Sequence, residues 1–102
     1  YILEGEMTFY VGDQTIKAQP GSFLLGPKGI PHAFAVDSGP ARLLFVLSPG
    51  GFEGLVRDMG EPAKELSMPP QPEAPPDEAE MERMAAIAAR YGNEILGPPP
   101  GQ

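Results

Sequence analysis

Apolar and polar residues alternate through the first half of the chain. Met7, Phe9 and Val11 interleave with Glu6, Thr8 and Tyr10, a period of two that half-buries a strand. Gly12-Asp13-Gln14 reads as a turn, and Thr15-Ile16-Lys17-Ala18 as the returning hairpin strand. Gln19-Pro20-Gly21 turns again, since proline presets one backbone angle and glycine accepts a positive one. A strand is expected over Ser22–Leu25, a turn at Pro27-Lys28-Gly29, and a further strand over His32–Val36. Asp37-Ser38-Gly39-Pro40 is expected to turn once more into Ala41–Ser48, the longest apolar run, which reads as a strand covered on both faces. Short strands at regular spacing with Gly/Pro joints predict an antiparallel barrel or sandwich. Tyr1-Ile2-Leu3 reads as the middle of a strand, so the chain is expected to be a fragment of a longer one.

The second half follows a different rule. Phe52, Leu55, Val56 and Met59 share a helical face, predicting a short helix within residues 51–60. Residues 61–76 hold Pro62, Pro69, Pro70, Pro72, Pro75 and Pro76 and predict a semi-rigid linker. Residues 77–97 predict a helix and tail. Asp77 is placed as N-cap with Glu80 completing a capping box, Met81, Met84, Ala85, Ala88 and Tyr91 form the docking face, and Gly92 stops the helix. Asn93–Gly97 would add a short extended piece.

Composition narrows the function. With 102 residues the chain is one domain at most, and a net charge of -7 excludes the basic surface that nucleic acids or anionic membranes require. There is no cysteine, which removes thiolate ligands, disulfides and cysteine nucleophiles and suits a cytoplasmic setting. The serines Ser22, Ser38 and Ser48 stand in no nucleophile–base pattern. The single histidine, His32, follows the Pro27-x-Gly29 turn at the start of an apolar run. A lone histidine on a strand is ordinarily packed or hydrogen-bonded, and its ligand role needs further support.

That support is the spacing. Gly21, five residues, Pro27-x-Gly29, two residues and His32 resemble the second sequence motif of the cupin superfamily. Tyr1 to Glu6 resembles the closing stretch of the first motif, in which a His-x-His and a glutamate precede a glycine that matches Gly5. The ending, from Ala85 to Pro98, resembles that of small single-domain bacterial cupins of the quercetin-dioxygenase-like type. Where many members have an asparagine four residues after the histidine, this chain has Val36.

The resemblance implies a mainly β fold, a cupin-like double-stranded β-helix barrel that is N-terminally incomplete, with residues 1–50 as the barrel portion and a C-terminal helix. It implies that His32 is one ligand of a divalent transition metal (Fe, Mn, Ni, Cu or Zn), the remaining ligands standing upstream of Tyr1. Glu4 and Glu6 are candidate substitutes, but the alternation puts them with Thr8 off the core face, on the solvated side. Phe23, Leu25, Phe34, Phe45 and Leu47 are the candidates to line a ligand cavity, against the plainer reading that they are core. The implied activity is a metal-dependent dioxygenase acting on a small aromatic or polyhydroxylated molecule. The alternative is a non-catalytic small-molecule-binding or structural cupin without metal. A homodimer, formed by strand exchange, is expected from unpaired strand edges.

Overall fold

A computed structural model describes residues 1–100. The chain divides into two compact units, Tyr1–Val46 with the tail from Leu96, and Leu47–Ile95.

The first unit is an antiparallel sheet of three strands: β1 (Ile2–Val11), β2 (Gln14–Ala18) and β3 (His32–Leu43), with β1 in the centre. Gly12, at φ +60°, makes the β1–β2 turn, and Val11 pairs with Gln14, Phe9 with Ile16 and Met7 with Ala18. On its other side β1 pairs Val11 with His32, Phe9 with Phe34 and Met7 with Val36. Because facing residues share a side of a sheet, Met7, Phe9, Val11, Ile16, Ala18, His32, Phe34 and Val36 lie on one face.

This alternation does not run the length of β1. Ile2 and Met7 are both buried although their spacing is odd. Register shifts between Ile2 and Met7 reverse the parity. Between the pairs Glu4–Arg42 and Glu6–Ser38, β3 carries extra residues that bulge over Gly5. A Cβ on Gly5 would stand 2.8 Å from both Ala41 Cα and Pro40 O, and its φ is +83°, so this position admits only glycine without distortion. Ile2, Met7 and Ala18 form the core, with Phe9, Leu24, Ala41 and Leu43 packed against it.

Three sequence expectations are corrected here. Asp37–Pro40 is not a turn between strands but the bulged part of β3, because pairing with β1 resumes at Arg42. The apolar run ends as a strand at Leu43; Leu44 still exchanges two backbone bonds with Tyr1, at 2.8 and 3.0 Å, but Leu44, Phe45 and Val46 are exposed rather than covered on both faces. Ser22–Leu25 is not a strand among the described residues. After the Pro20-Gly21 turn, closed by Ser22 N–H to Gln19 O at 2.9 Å, this segment is held to β1 by Ile2 N–H to Ser22 O and Gly21 N–H to Ile2 O. No ladder continues beyond those bonds to fix its pleat.

The second unit holds α1 (Phe52–Met59) and α2 (Glu78–Arg90), and no helix or strand lies between them. Asp77 caps α2 by accepting from Glu80 N–H at 2.8 Å. The reciprocal half of the box is not made, because the Glu80 carboxylate instead receives Arg83 at 2.9 and 3.1 Å. Gly92, at φ +75°, ends the helix, with Gly92 N–H to Ala89 O and Asn93 N–H to Ala88 O forming a Schellman pair. Asn93–Gly97 adds no strand. The docking face follows expectation at Ala88, which is buried, and at Tyr91, but Ile87 is buried as well and Met81 is exposed. Tyr91 meets α1, where its hydroxyl donates to Asp58 Oδ2 at 2.6 Å and Arg90 lies 3.7 Å from the same oxygen. Gly54 makes room for that ring, since a Cβ there would meet Tyr91 Cε1 at 2.5 Å.

Candidate functional site

The pleat puts His32 at the mouth of β3, opposite Val11 and on the face that carries Phe34 and Val36. Its ring is exposed, and Nδ1 lies 3.2 Å from the carbonyl oxygen of Ile30. Phe34 is its neighbour along this face. The Phe34 ring stands 5.8 Å from Phe9 and 6.5 Å from Phe45, tilted to both, a geometry in which aromatic pairs attract by about 0.5–1.5 kcal/mol beyond area burial. Strand pairing therefore sets Phe34 against Phe9 on the face of His32, and Phe45, just past the end of β3, extends the aromatic row.

Of the five cavity candidates, the structure brings together Phe34 and Phe45. Phe23 and Leu25 are each 75% exposed, and Leu47, in the second unit, is also exposed. The residue between the first two, Leu24, packs on the core instead. Phe9 was visible in the sequence as a core-face residue, but its place in the row depends on the β1–β3 register. Glu4 and Glu6 are exposed, Glu4 lying 3.9 Å from Arg42. Among the described residues no three His, Asp or Glu side chains converge to hold a metal ion. The donor set of this chain does not by itself fit the implied metal, since such sites need several convergent ligands.

The opposite face of the sheet holds a network that the alternation concealed. Thr8, expected to be solvated, is 2% exposed. Its hydroxyl donates to Asp37 Oδ2 at 2.6 Å and accepts from Lys17 Nζ at 2.6 Å, and Lys17 lies 3.4 Å from Asp37. One hydroxyl thus ties β2 to β3 across β1. The Thr8 bond, assisted by Lys17, holds the Asp37 carboxyl below its ordinary pKa against the opposing effect of burial. A cleft of about 310 Å³ lies beside it, lined by Glu6, Met7, Lys17, Ala18, Gln19 and Asp37. None of the cavity candidates borders this cleft.

An antiparallel sheet of these connections, with an apolar face carrying an aromatic row and a histidine at its rim, is consistent with part of a β-barrel. Residues 1–47 match the family described as Cupin domain, and this region belongs to the cupin superfamily. Over 74 residues the chain is 38% identical to quercetin 2,3-dioxygenase of Bacillus subtilis (strain 168), a span of 72% of this chain and 22% of that protein. The chain thus covers about a fifth of the length of this curated relative. The likeness also runs past residue 47, because the aligned span is longer than the matched domain. No solved structure matches the chain with significance. The fold is mainly β, part of a cupin barrel with a C-terminal helix. Among the described residues no helix is long and apolar enough to cross a membrane.

Proposed function

We propose that this chain is the part of a cupin-type barrel that receives a small aromatic or polyhydroxylated molecule on the Phe9–Phe34–Phe45 row, with His32 at its rim as one ligand of a divalent transition metal. The observation that carries the reading is the shared face of His32 and Phe34 on β3. The other ligands would come from protein outside the described residues, among which no ligand set is completed. The name of the Bacillus relative supports a dioxygenase acting on an aromatic substrate for the longer protein. Metal analysis of that protein tests this: about one Fe, Mn, Ni, Cu or Zn ion per chain is expected, lost on His32→Ala. Equal metal content in the variant, or none in either protein, would overturn it.

A second reading is a barrel that binds its ligand without metal or catalysis. It is favoured by the lack of a converging ligand set among the described residues. Ligand binding that survives both a chelator and His32→Ala, with no oxygen consumed, would establish it. We also propose a homodimer. Among the described residues the outer edges of β2 and β3 have no neighbouring strand, and such edges recruit further strands. Light scattering on the eluting protein is expected to give twice the chain mass, and a monomer would refute the pairing.

A further inference from the structure

Pairing with β1 uses only one side of the chain that follows β3. Tyr1 and Leu44 exchange both backbone bonds, Leu44 N–H to Tyr1 O at 2.8 Å and Tyr1 N to Leu44 O at 3.0 Å. Ile2, which stands opposite Leu43, bonds instead to Ser22 and Gly21 on its other side. Backbone groups of an antiparallel strand turn alternately to its two neighbours. Leu44 therefore faces β1, whereas the N–H and C=O groups of Leu43, Phe45 and Leu47 face the outer edge. No bend interrupts the chain before Ser48. Among the described residues no strand lies along that edge. Leu44, Phe45, Val46 and Leu47 are all exposed, Val46 to 84%.

The other edges are guarded. β2 carries Lys17, and the edge of β3 is broken by the bulge that holds Pro40. Charge, proline and bulges all blunt a sheet edge against further pairing. The run Leu43–Leu47 has none of them. It is apolar throughout, with Arg42 before it and Pro49 just beyond.

Charge selects what can cover it. The chain carries -7, so two copies repel over most of their surfaces and can approach best at an uncharged run. In an antiparallel pairing centred on Phe45, Leu43 meets the partner's Leu47, Leu44 the partner's Val46, and Phe45 the partner's Phe45. Arg42 meets the partner's Ser48 and keeps its own Glu4, 3.9 Å away. No like charges are opposed. The same centre makes Leu43, Phe45 and Leu47 the hydrogen-bonded positions, which are the ones whose groups face outward. Pro49 has no N–H and stops the ladder there.

We infer that Leu43–Leu47 is the contact surface for a second copy of this chain, paired antiparallel about Phe45. This names the surface of the homodimer read above and rests on that reading. Facing residues share a side of a sheet. The partner's Phe45 therefore joins this copy's Phe45 on the face of Phe34, and the aromatic row runs on into the second copy.

Amide hydrogen exchange on the 102-residue chain reads the register directly. Phe45 and Leu47 are expected to exchange more slowly in concentrated than in dilute solution. Val46, whose N–H faces away from the partner, is expected to exchange alike in both. Light scattering over the same range is expected to show the mass doubling. A doubled mass with Phe45 and Leu47 unprotected overturns the inference and leaves the homodimer standing, whereas a single-chain mass throughout overturns both. Leu47→Pro removes an N–H from the outer edge and is expected to return the mass to that of one chain. Val46→Pro removes one from the other side and is expected to keep the doubled mass. Equal masses for the two folded variants overturn the pairing. The exchange measurement needs no variant, so a variant that fails to fold leaves the decision to it.

Discussion

Replacing Gly5 by alanine imposes two separable costs. The residue sits at φ +83°, where an L side chain costs about 1–2 kcal/mol. Its new Cβ would also lie 2.8 Å from Ala41 Cα and Pro40 O and 3.0 Å from Ser38 O. These are backbone atoms of the β3 bulge, and no rotamer change moves them aside. Overpacking of this kind costs about 1–3 kcal/mol, giving a total of roughly 2–5 kcal/mol. Gly21 provides the internal control: at φ +92° it bears the same strain, yet nothing lies within 4 Å of its Cβ position. Gly21→Ala is therefore expected to lose only the first part, about 1–2 kcal/mol. Urea unfolding of both variants, with amide exchange at Met7 and Phe9 isolating the sheet, measures the difference. Equal destabilisation by the two substitutions would show that the approach of β3 to Gly5 carries no energy, and the account of the parity reversal would fail with it.

Acid should loosen the sheet through Asp37. Its folded pKa lies below the ordinary 3.8, so the unfolded chain binds the proton more readily. The stabilisation is fully present above 3.8 and is lost as pH falls through the lower native value. Asp37→Asn is expected to flatten the acid limb of the urea midpoint against pH, and an unaltered limb would count against the network. In the helical unit, Gly54→Ala forces the Tyr91 ring away from α1 at a cost of about 1–3 kcal/mol, read by amide exchange in α2; exchange as in the parent would contradict the packing. Tyr91 donates to Asp58, and that bond, with burial and the carboxylate's charge adding to it, raises the phenol above its ordinary 10.0. Spectrophotometric titration of Asp58→Ala should therefore show one tyrosine ionising at lower pH than in the parent, and superimposable curves would refute the contact.

Local chemistry was legible wherever it needed no distant partner. The β1–β2 hairpin, the Pro20-Gly21 turn, α1, the Asp77 cap and the Gly92 stop all follow from a few adjacent residues. The place of His32 at the start of a strand was legible for the same reason. Thr8 was not. Its side is assigned correctly by alternation, but its burial is created by Lys17 and Asp37 arriving from the neighbouring strands. Ile87 was missed because several faces of α2 have small or apolar residues, and α1 selects among them. The residues from Ser22 to Leu25 read as a strand from β-forming composition alone, whereas a strand also needs a neighbour to pair with along its length.

From its order of residues alone, then, this protein is a β-rich segment of cupin type followed by a proline linker and a capped helix, with a single imidazole set at a strand's entrance. Turns, caps and periodicity are short-range effects, written in neighbouring side chains. The tertiary structure decided which face of each element is covered, where β3 bulges across Gly5, and that Phe9, Phe34 and Phe45 stand in a row beside His32. Those outcomes depend on register between segments far apart in the chain, and a displacement of one residue in that register would turn each of these side chains to the opposite side of the sheet.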